Sequence, residues 1–415
     1  MIISKAKTMV SISGLRRAAS GPLLAMQFTL LLLGVQSARA QTYTVLHEFT
    51  GADDGGNPAG GVIRDAAGNL YGTTYDAGAF GYGVVFKLDS AGKETVLHTF
   101  TGADGIWPDA GLIRDSSGNL YGTTWDGGAA EGGTCKHGCG TVFKVDSTGK
   151  ETVLYAFTGD TDGRNPEAGL VRDAVGNLYG TTSTGGNPSC RSYQHGCGVV
   201  FKVDKDGKET VLHAFMDTDG DDPVGSLIRD KAGNLYGVTW DGGAYDDGVV
   251  FKVDPVGKLT VLHSFAGGTM DGSSPRGSLV RDASGNLYGT TLFGGDTSCS
   301  SYGCGVVFKL DKTGKETILY AFTGGADEGN PSRGLIRDMA GNLYGTTEEY
   351  SGELFKLDNK GEFKVLYFFG TGGDGVAPTG LIRDDLGNFY GTASRGGKLN
   401  CPGGAGCGVV FKFTP

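Results

Sequence analysis

From Thr42 to the C-terminus the chain alternates short apolar runs with clusters of Gly, Asp and Asn. In the first full unit the runs are GVIRD (Gly61–Asp65), NLYGTT (Asn69–Thr74), GVVFKLD (Gly83–Asp89) and ETVLHTF (Glu94–Phe100). Each is short, rich in β-branched or aromatic residues and bounded by turn formers, which predicts strands. In GVVFKLD, Val84, Phe86 and Leu88 fall on one side while Lys87 and Asp89 fall on the other. The connections Asp65–Asn69 and Asp89–Lys93 read as hairpin turns with Gly supplying positive φ.

This unit recurs. The string GNLYG (once GNFYG) begins at Gly68, Gly118, Gly176, Gly233, Gly285, Gly341 and Gly387, at intervals of 50, 58, 57, 52, 56 and 46 residues. A period near 50 built from four short strands predicts a β-propeller. VFK occurs six times and LFK once (Leu354–Lys356). The VLHxF-type strand also occurs seven times, but its first copy (Val45–Phe49) precedes every other strand and the chain stops after the last VVFKF. The expectation is an all-β, seven-bladed propeller over residues 41–415, with four antiparallel strands per blade, in which the N-terminal strand completes the last blade. Closure leaves few strand edges exposed, which suits a monomer.

The order strand, D-x-x-G-N-L-Y, strand, D-x-x-G-K, strand is similar to NHL-type and lactonase-like propellers. With the GG that follows GNLYGTT, and with GVVFKLD and ETVLHxF repeated over nearly all of the chain, it resembles the GloVer tandem-repeat proteins of bacteria more closely. That resemblance implies an exported protein with no established activity, often carrying a C-terminal surface anchor. This chain ends at VVFKFTP without one, so the resemblance does not carry surface attachment over to it.

Residues 1–40 stand outside the repeat. Lys5, Lys7, Arg16 and Arg17 precede a mostly apolar run, Leu23–Val35, and the A-x-A site Ala38–Ala40. This reads as a secretory signal peptide cleaved after Ala40, with an apolar run too short for a membrane span. The leader's five charges are all basic, so its removal leaves 31 basic against 46 acidic residues, a net charge of −15. A dispersed acidic balance argues against nucleic acid and against anionic membrane surfaces as partners.

All eight cysteines lie in loops between second and third strands, as local pairs: Cys135/Cys139, Cys190/Cys197, Cys299/Cys304 and Cys401/Cys407. In an exported chain these read as four disulfides. Rings this small contribute at most about 2–2.5 kcal/mol each, so they shape loops and do not hold the ring together. His137 and His195 beside these cysteines raise zinc as a rival, but no loop offers four ligands.

A feature present in every unit is architecture before it is a site. Every inter-blade loop has an Asp four residues before a Pro: Asp54, Asp104, Asp162, Asp219, Asp271, Asp327 and Asp374. A repeated Asx-type turn accounts for them. Calcium is the one ion the sequence admits, at Asp217, Asp219 and Asp221, although Ile228 stands where an EF-hand would need its bidentate Glu. No other cofactor is expected. The arginines of the first strands (Arg64, Arg114, Arg172, Arg229, Arg281, Arg337 and Arg383) read as a structural ring of hydrogen bonds, ahead of a cationic channel lining. The histidines of VLHxF alternate with Tyr155, Tyr320 and Tyr367 and read as packing with a polar tip.

What breaks the sevenfold pattern is aromatic. After the GTT-type segment stand Tyr75, Trp125, Ser183, Trp240, Leu292, Glu348 and Ser394, while Trp107 lies in an inter-blade loop and Tyr193, Tyr245, Phe293 and Tyr302 lie nearby. Tyr75, Trp107, Trp125, Trp240 and Tyr245 are the candidate ligand-binding residues, for a glycan or a surface protein. No Ser–His–Asp set, metal-hydrolase motif or phosphate loop is evident, and the acid/base candidates outside the repeat are Glu131, Glu348 and Glu349. The expected function is a non-enzymatic exported binding scaffold. A propeller lyase or hydrolase with an acidic central pocket is the second reading, and a structural cell-surface protein the third.

Overall fold

The computed structural model describes residues 41–128, 134–190, 196–331, 333–348, 351–370, 373–398, 401 and 406–415. Its strands form seven antiparallel sheets. The first blade is Val62–Arg64, Leu70–Thr74, Val84–Leu88 and Glu94–Thr99, in that spatial order. The seventh takes Val376–Arg383, Phe389–Arg395 and Val409–Thr414 from the end of the chain and Thr42–Glu48 from its start. The two terminal strands pair antiparallel, with Tyr43 opposite Phe413 and Val45 opposite Phe411. The closure read from the strand count is the one observed. Blade five adds a short strand, Gly272–Pro275, beside Leu287–Gly294. Among the described residues no helix is long and apolar enough to cross a membrane.

The third strand is buried on both faces: Val84, Val85, Phe86 and Leu88 are all at or below 1% exposure, so the apolar set is wider than alternation alone suggests. One face packs within the blade and the other against its neighbour. The last residue of VLHxF crosses that gap. Phe49, Phe100, Phe157, Phe215, Phe265, Phe322 and Phe369 each meet the VFK-type phenylalanine of the next blade edge-on, with ring centroids 5.1–5.4 Å apart. Such pairs add about 0.5–1.5 kcal/mol beyond the area they bury. A register shift between the third and fourth strands recurs in every blade, as at Val85/Phe86, and twists the outer strand toward this gap.

The D-x-x-G-N-L-Y string is a closed set of bonds. Asp65 Oδ1 accepts from the backbone N–H of Ala67 and Asn69, and Oδ2 accepts from Asn69 Nδ2 and the Tyr71 hydroxyl. The tyrosine's ring carries the first-strand arginine of the following blade, Arg114 over Tyr71 at 5.6 Å, and the same contact occurs at all seven junctions, at 5.4–5.7 Å. The arginine ring is therefore built on cation–π contacts, worth about 0.5–1 kcal/mol each at exposed sites, and Arg64, Arg281 and Arg337 also hydrogen-bond the tyrosine they cover, as expected. Arg229, Arg281 and Arg337 also border a cavity of about 470 Å³ at that end of the first strands. Gly72 has no room for a side chain: a Cβ there would lie 2.7 Å from Phe86 Cζ.

The four cysteine pairs, Cys135–Cys139, Cys190–Cys197, Cys299–Cys304 and Cys401–Cys407, are disulfides, with Cα atoms 5.4–5.8 Å apart, and no cysteine is free. Their placement corrects the expectation that they serve the loops alone. Cys139, Cys197, Cys304 and Cys407, the second member of each pair, are buried in the core between blades. Cys139 packs with Phe157 and Phe201, Cys197 with Phe215 and Phe251, Cys304 with Phe322 and Phe355, and Cys407 with Phe49 and Phe86. The cause is position. Each stands one residue before the glycine that leads into the third strand (Gly140, Gly198, Gly305 and Gly408), so the buried strand draws it inward. Three of them also bind the following blade through the backbone. The Cys139, Cys304 and Cys407 carbonyls accept from the N–H groups of Asn165, Asn330 and Asn57, at 2.8–2.9 Å. Each disulfide thus ties a surface loop to a point already fixed in the inter-blade core.

One residue violates the core pattern. Where other third strands start with Val84, Thr141, Val199, Val249, Val306 and Val409, blade six has Glu353, fully buried. Neither of its carboxyl oxygens has a hydrogen-bond partner among the described residues. Burial, with Glu328 and Asp327 nearby, pushes its pKa from 4.5 to about 8. A buried polar group without partners costs about 1–3 kcal/mol.

Two outcomes follow. Deleting residues 41–50 removes the closing strand and Phe49. Truncating a buried aromatic costs about 3–5 kcal/mol, so melting should fall by roughly 5 °C or more; an unchanged melting temperature would contradict the closure. Glu353 holds its proton in the folded state up to about pH 8 but only to about 4.5 when unfolded. Its contribution is therefore complete below pH 4.5 and is lost as pH rises through 8. Glu353→Val should raise stability at pH 8 by about 1–3 kcal/mol and do less at pH 5. Calorimetric melts of both proteins across this range check it, and a pH-independent difference between them would refute it.

Candidate functional site

The inter-blade loops begin from an anchored aspartate. Asp104 accepts from the Thr101 N–H at 2.8 Å and meets His98 Nε2 at 3.0 Å. Where the outer strand carries tyrosine, the phenol donates to the same aspartate, as Tyr155 to Asp162, Tyr320 to Asp327 and Tyr367 to Asp374, each at 2.8 Å. This explains the His/Tyr exchange, since both reach one carboxylate at one height.

Three residues on, every loop has a left-handed residue just before its proline: Asn57, Trp107, Asn165, Asp222, Ser274, Asn330 and Ala377, with φ between 51° and 58°. Asparagine tolerates this conformation, whereas for a bulky tryptophan it is strained. Trp107 is nevertheless held there by backbone bonds: its N–H donates to the Tyr82 carbonyl at 3.1 Å and its carbonyl accepts from the Trp125 N–H at 3.0 Å. Its ring stacks on Tyr75 (5.6 Å, 7° between planes) and lies 5.6 Å from Trp125. Strain held at a loop aromatic is a pointer to function.

Beyond the proline the chain turns down into the central channel. In sequence the copies differ most at the residue that follows it: Ala59, Asp109, Glu167, Val224, Arg276, Ser332 and Thr379. A cavity of about 270 Å³ lies at this end of the channel, lined by Asp109, Glu167, Arg276, Arg333 and Thr379 among close-packed glycines. Arg333 Nε donates to Glu348 Oε1 at 2.7 Å. Burial raises the Asp109 and Glu167 carboxyls, while Arg276 and Arg333 pull both down. Asp222 is pushed up to about 8 by burial and by the charges of Glu167, Asp221 and Asp241. The mouth is thus a mixed-charge basin in which two arginines face several carboxyl groups.

Of the aromatic candidates, Tyr75, Trp107 and Trp125 come together at this mouth. Trp240 stands in a second group, under Arg276 at 5.5 Å and edge-on to Phe293 at 6.5 Å. Tyr245 is 63% exposed and makes no ring contact among the described residues. Asp217, Asp219 and Asp221 do not form one set among the described His, Cys and carboxylate groups whose ligand atoms lie near enough to share an ion. Asp219 is engaged by His213 and the Met216 N–H, and Asp217 lies against the Cys190–Cys197 disulfide. Glu131, Tyr193, His195 and Glu349 lie outside the described residues. Asp109, Glu167, Arg276 and Arg333 escape a search for motifs, yet aligning the two residues that follow each loop proline would have exposed their departure from the repeat, Arg333 standing at the second of them where the other copies have Gly or Ala.

No curated protein matches the chain. Among solved structures, the extracellular domain of a putative hybrid two-component system from B. thetaiotaomicron is similar with a TM-score of 0.58 and 12% identity, over 89% of this chain and 39% of its own. A second such extracellular domain from that organism gives 0.54 and 12%, over 90% and 41%. This chain spans about two fifths of the length of each. A putative 6-phosphogluconolactonase from Bacteroides uniformis gives 0.50 and 14%, over 86% of this chain and all of its own. At these identities the likeness is one of fold. A model of the Gloeobacter/Verrucomicrobia repeat matches residues 35–193 and 297–415. That match covers about two thirds of the sequence, and the chain belongs to the Gloeobacter/Verrucomicrobia repeat family.

Proposed function

We propose that this protein is an exported carbohydrate-binding propeller whose ligand sits on the channel mouth. The observation that carries the reading is Trp107, held in a strained conformation, stacked on Tyr75 and tilted against Trp125, with Tyr75 in the field of Asp109 and Glu167 of the basin. A sugar presents an apolar C–H face to an aromatic ring and hydroxyls to carboxylates and guanidinium groups. The mouth supplies both kinds of surface on a rigid ring. Trp240 with Arg276 forms a second platform two blades away from Trp125, which fits an extended oligosaccharide. The reading of residues 1–40 as a signal peptide and the four disulfides support export.

A second reading is favoured by one observation. Asp222, with its pKa raised to about 8, is a carboxyl that keeps its proton at neutral pH beside Glu167, and a carboxyl held protonated in this way can serve as a general acid in hydrolases and lyases.

A glycan array with the secreted protein should retain a limited set of oligosaccharides. Trp107→Ala and Asp109→Asn should each weaken the best ligand about 30-fold, the loss expected for a contact worth about 2 kcal/mol. Tyr245→Ala should leave affinity unchanged. An empty array, or unaltered affinity in both mouth variants, would refute carbohydrate binding here. Chromatography of the recovered glycan separates the two readings: unchanged ligand supports a scaffold, and cleavage abolished by Asp222→Asn supports an enzyme.

A further inference from the structure

The seams between blades carry a second pattern. The residue two before the Val or Ile that opens each VLHxF-type string lies against the His or Tyr of the preceding blade. At this position stand Tyr43, Glu94, Glu151, Glu209, Leu259, Glu316 and Phe363. The aromatic members stack: Tyr43 on Tyr367 at 4.3 Å and Phe363 on Tyr320 at 4.2 Å. Leu259 stands at the seam that carries His213 and Asp219. The fold therefore accepts apolar side chains here and does not require a carboxylate.

At two seams the glutamate meets both an imidazole and an aspartate. His98, Asp104 and Glu151 each offer one ligand atom, all within 4.8 Å of one another, and so do His263, Asp271 and Glu316. The His–Asp atoms are 3.0 Å apart at the first seam and 3.3 Å at the second. Bonds of about 2.0–2.1 Å in a tetrahedral zinc site place neighbouring ligand atoms about 3.3 Å apart. At both seams Oε1 of the glutamate is buried with no hydrogen-bond partner, as it is at Glu94 and Glu209, so it is the imidazole and aspartate beside it that set these two seams apart. Two carboxylates brought this close in a partly buried seam repel one another unless one takes up a proton or a cation lies between them.

We propose that these two seams are divalent transition-metal sites, each binding one ion of the zinc class through His98, Asp104 and Glu151 or through His263, Asp271 and Glu316. Imidazole nitrogen favours such ions over calcium or magnesium, which take oxygen sets. Each ion would join one blade's outer strand and its loop to the first residue of the next blade's outer strand, a staple across the interface. The other seams lack part of the set. Leu259 removes the glutamate, Tyr155 replaces the imidazole at Asp162 and Glu209, and His47 lies 3.8 Å from Asp54.

These incomplete seams supply the test variants. Glu151→Leu copies the seam at Leu259, and His98→Tyr copies the seam at Tyr155; Glu316→Leu and His263→Tyr do the same at the second site. Untagged secreted protein, stripped with chelator and titrated calorimetrically with Zn²⁺ in the presence of millimolar Ca²⁺ and Mg²⁺, should bind two ions per chain. Each single variant should bind one, and Glu151→Leu/Glu316→Leu should bind none. Zn²⁺ should raise the melting temperature of the natural protein and leave that of the double variant unchanged, because an ion bound only by the folded state stabilises it. Circular dichroism establishes folding, and Glu151→Gln/Glu316→Gln serves if the leucine pair does not fold. The assignment is overturned by the absence of Zn²⁺ binding, by Ca²⁺ displacing it, or by two ions still bound in the double variant. Two ions retained with His98→Tyr/His263→Tyr would also overturn it, since the nitrogen donors would then be irrelevant.

Discussion

The structure depends on a phenylalanine that leaves its own blade. Each VLHxF strand ends in a ring buried against the VFK phenylalanine of the next blade, so no blade completes its core alone. A linear array of such units would leave one unfilled gap and one unhoused ring. Closing the circle removes both at once. This is why the first strand is found at the far end of the chain: Phe49 fills the gap of blade one while Thr42–Glu48 supplies the outer edge of blade seven. The arginine-on-tyrosine contacts repeat the same logic at the opposite end of the blades, again between neighbours rather than within one.

Because neighbours hold each other at both ends, the loops that rise between them are free to vary. What remains fixed in those loops is backbone: an aspartate that closes the turn, a left-handed residue and a proline. The side chain on the left-handed residue is not fixed, and neither is the one after the proline. The seven loops thus present a ring of interchangeable positions around the channel, on a frame that does not move when they change. Three of these positions carry asparagine, the side chain best suited to that conformation. Trp107 accepts strain to place an indole there.

Much of this was legible in the sequence. Strand number, closure and the cysteine pairs followed from counting, because strands and turns leave a period-two signal bounded by glycine. The role of Asp65 and its six counterparts was also within reach, since Asp and Asn four residues apart spell a turn. Harder to read was anything decided between blades. Cys139, Cys304 and Cys407 look like loop residues, and only the neighbouring blade's phenylalanine shows them to be core. Arg114 and Tyr71 are separated by more than forty residues and touch only because the ring brings consecutive blades together. Asp109, Glu167, Arg276 and Arg333 sit in ordinary contexts, and their meeting depends on the channel radius, which glycine packing sets. Glu353 looks like a surface residue in the string SGELFKL until it is superposed on the five valines and Thr141 of the other blades.

The charges at the mouth constrain what can bind there. Arg333 already has Glu348 at 2.7 Å, and Arg276 lies over Trp240 within reach of the Asp109 and Glu167 fields. A strong polyanion would have to compete with these carboxylates for the same guanidinium groups, and a polycation would face the arginines. A neutral polyhydroxylated ligand avoids both penalties, because a hydroxyl donates to a carboxylate and accepts from a guanidinium in one contact. Groups already paired also need little rearrangement to receive such a ligand, which lowers the ordering cost of binding. Under the proposed function, the balance of two arginines against several half-buried carboxyls would select for hydrogen-bonding capacity rather than for net charge, although the protein as a whole is acidic.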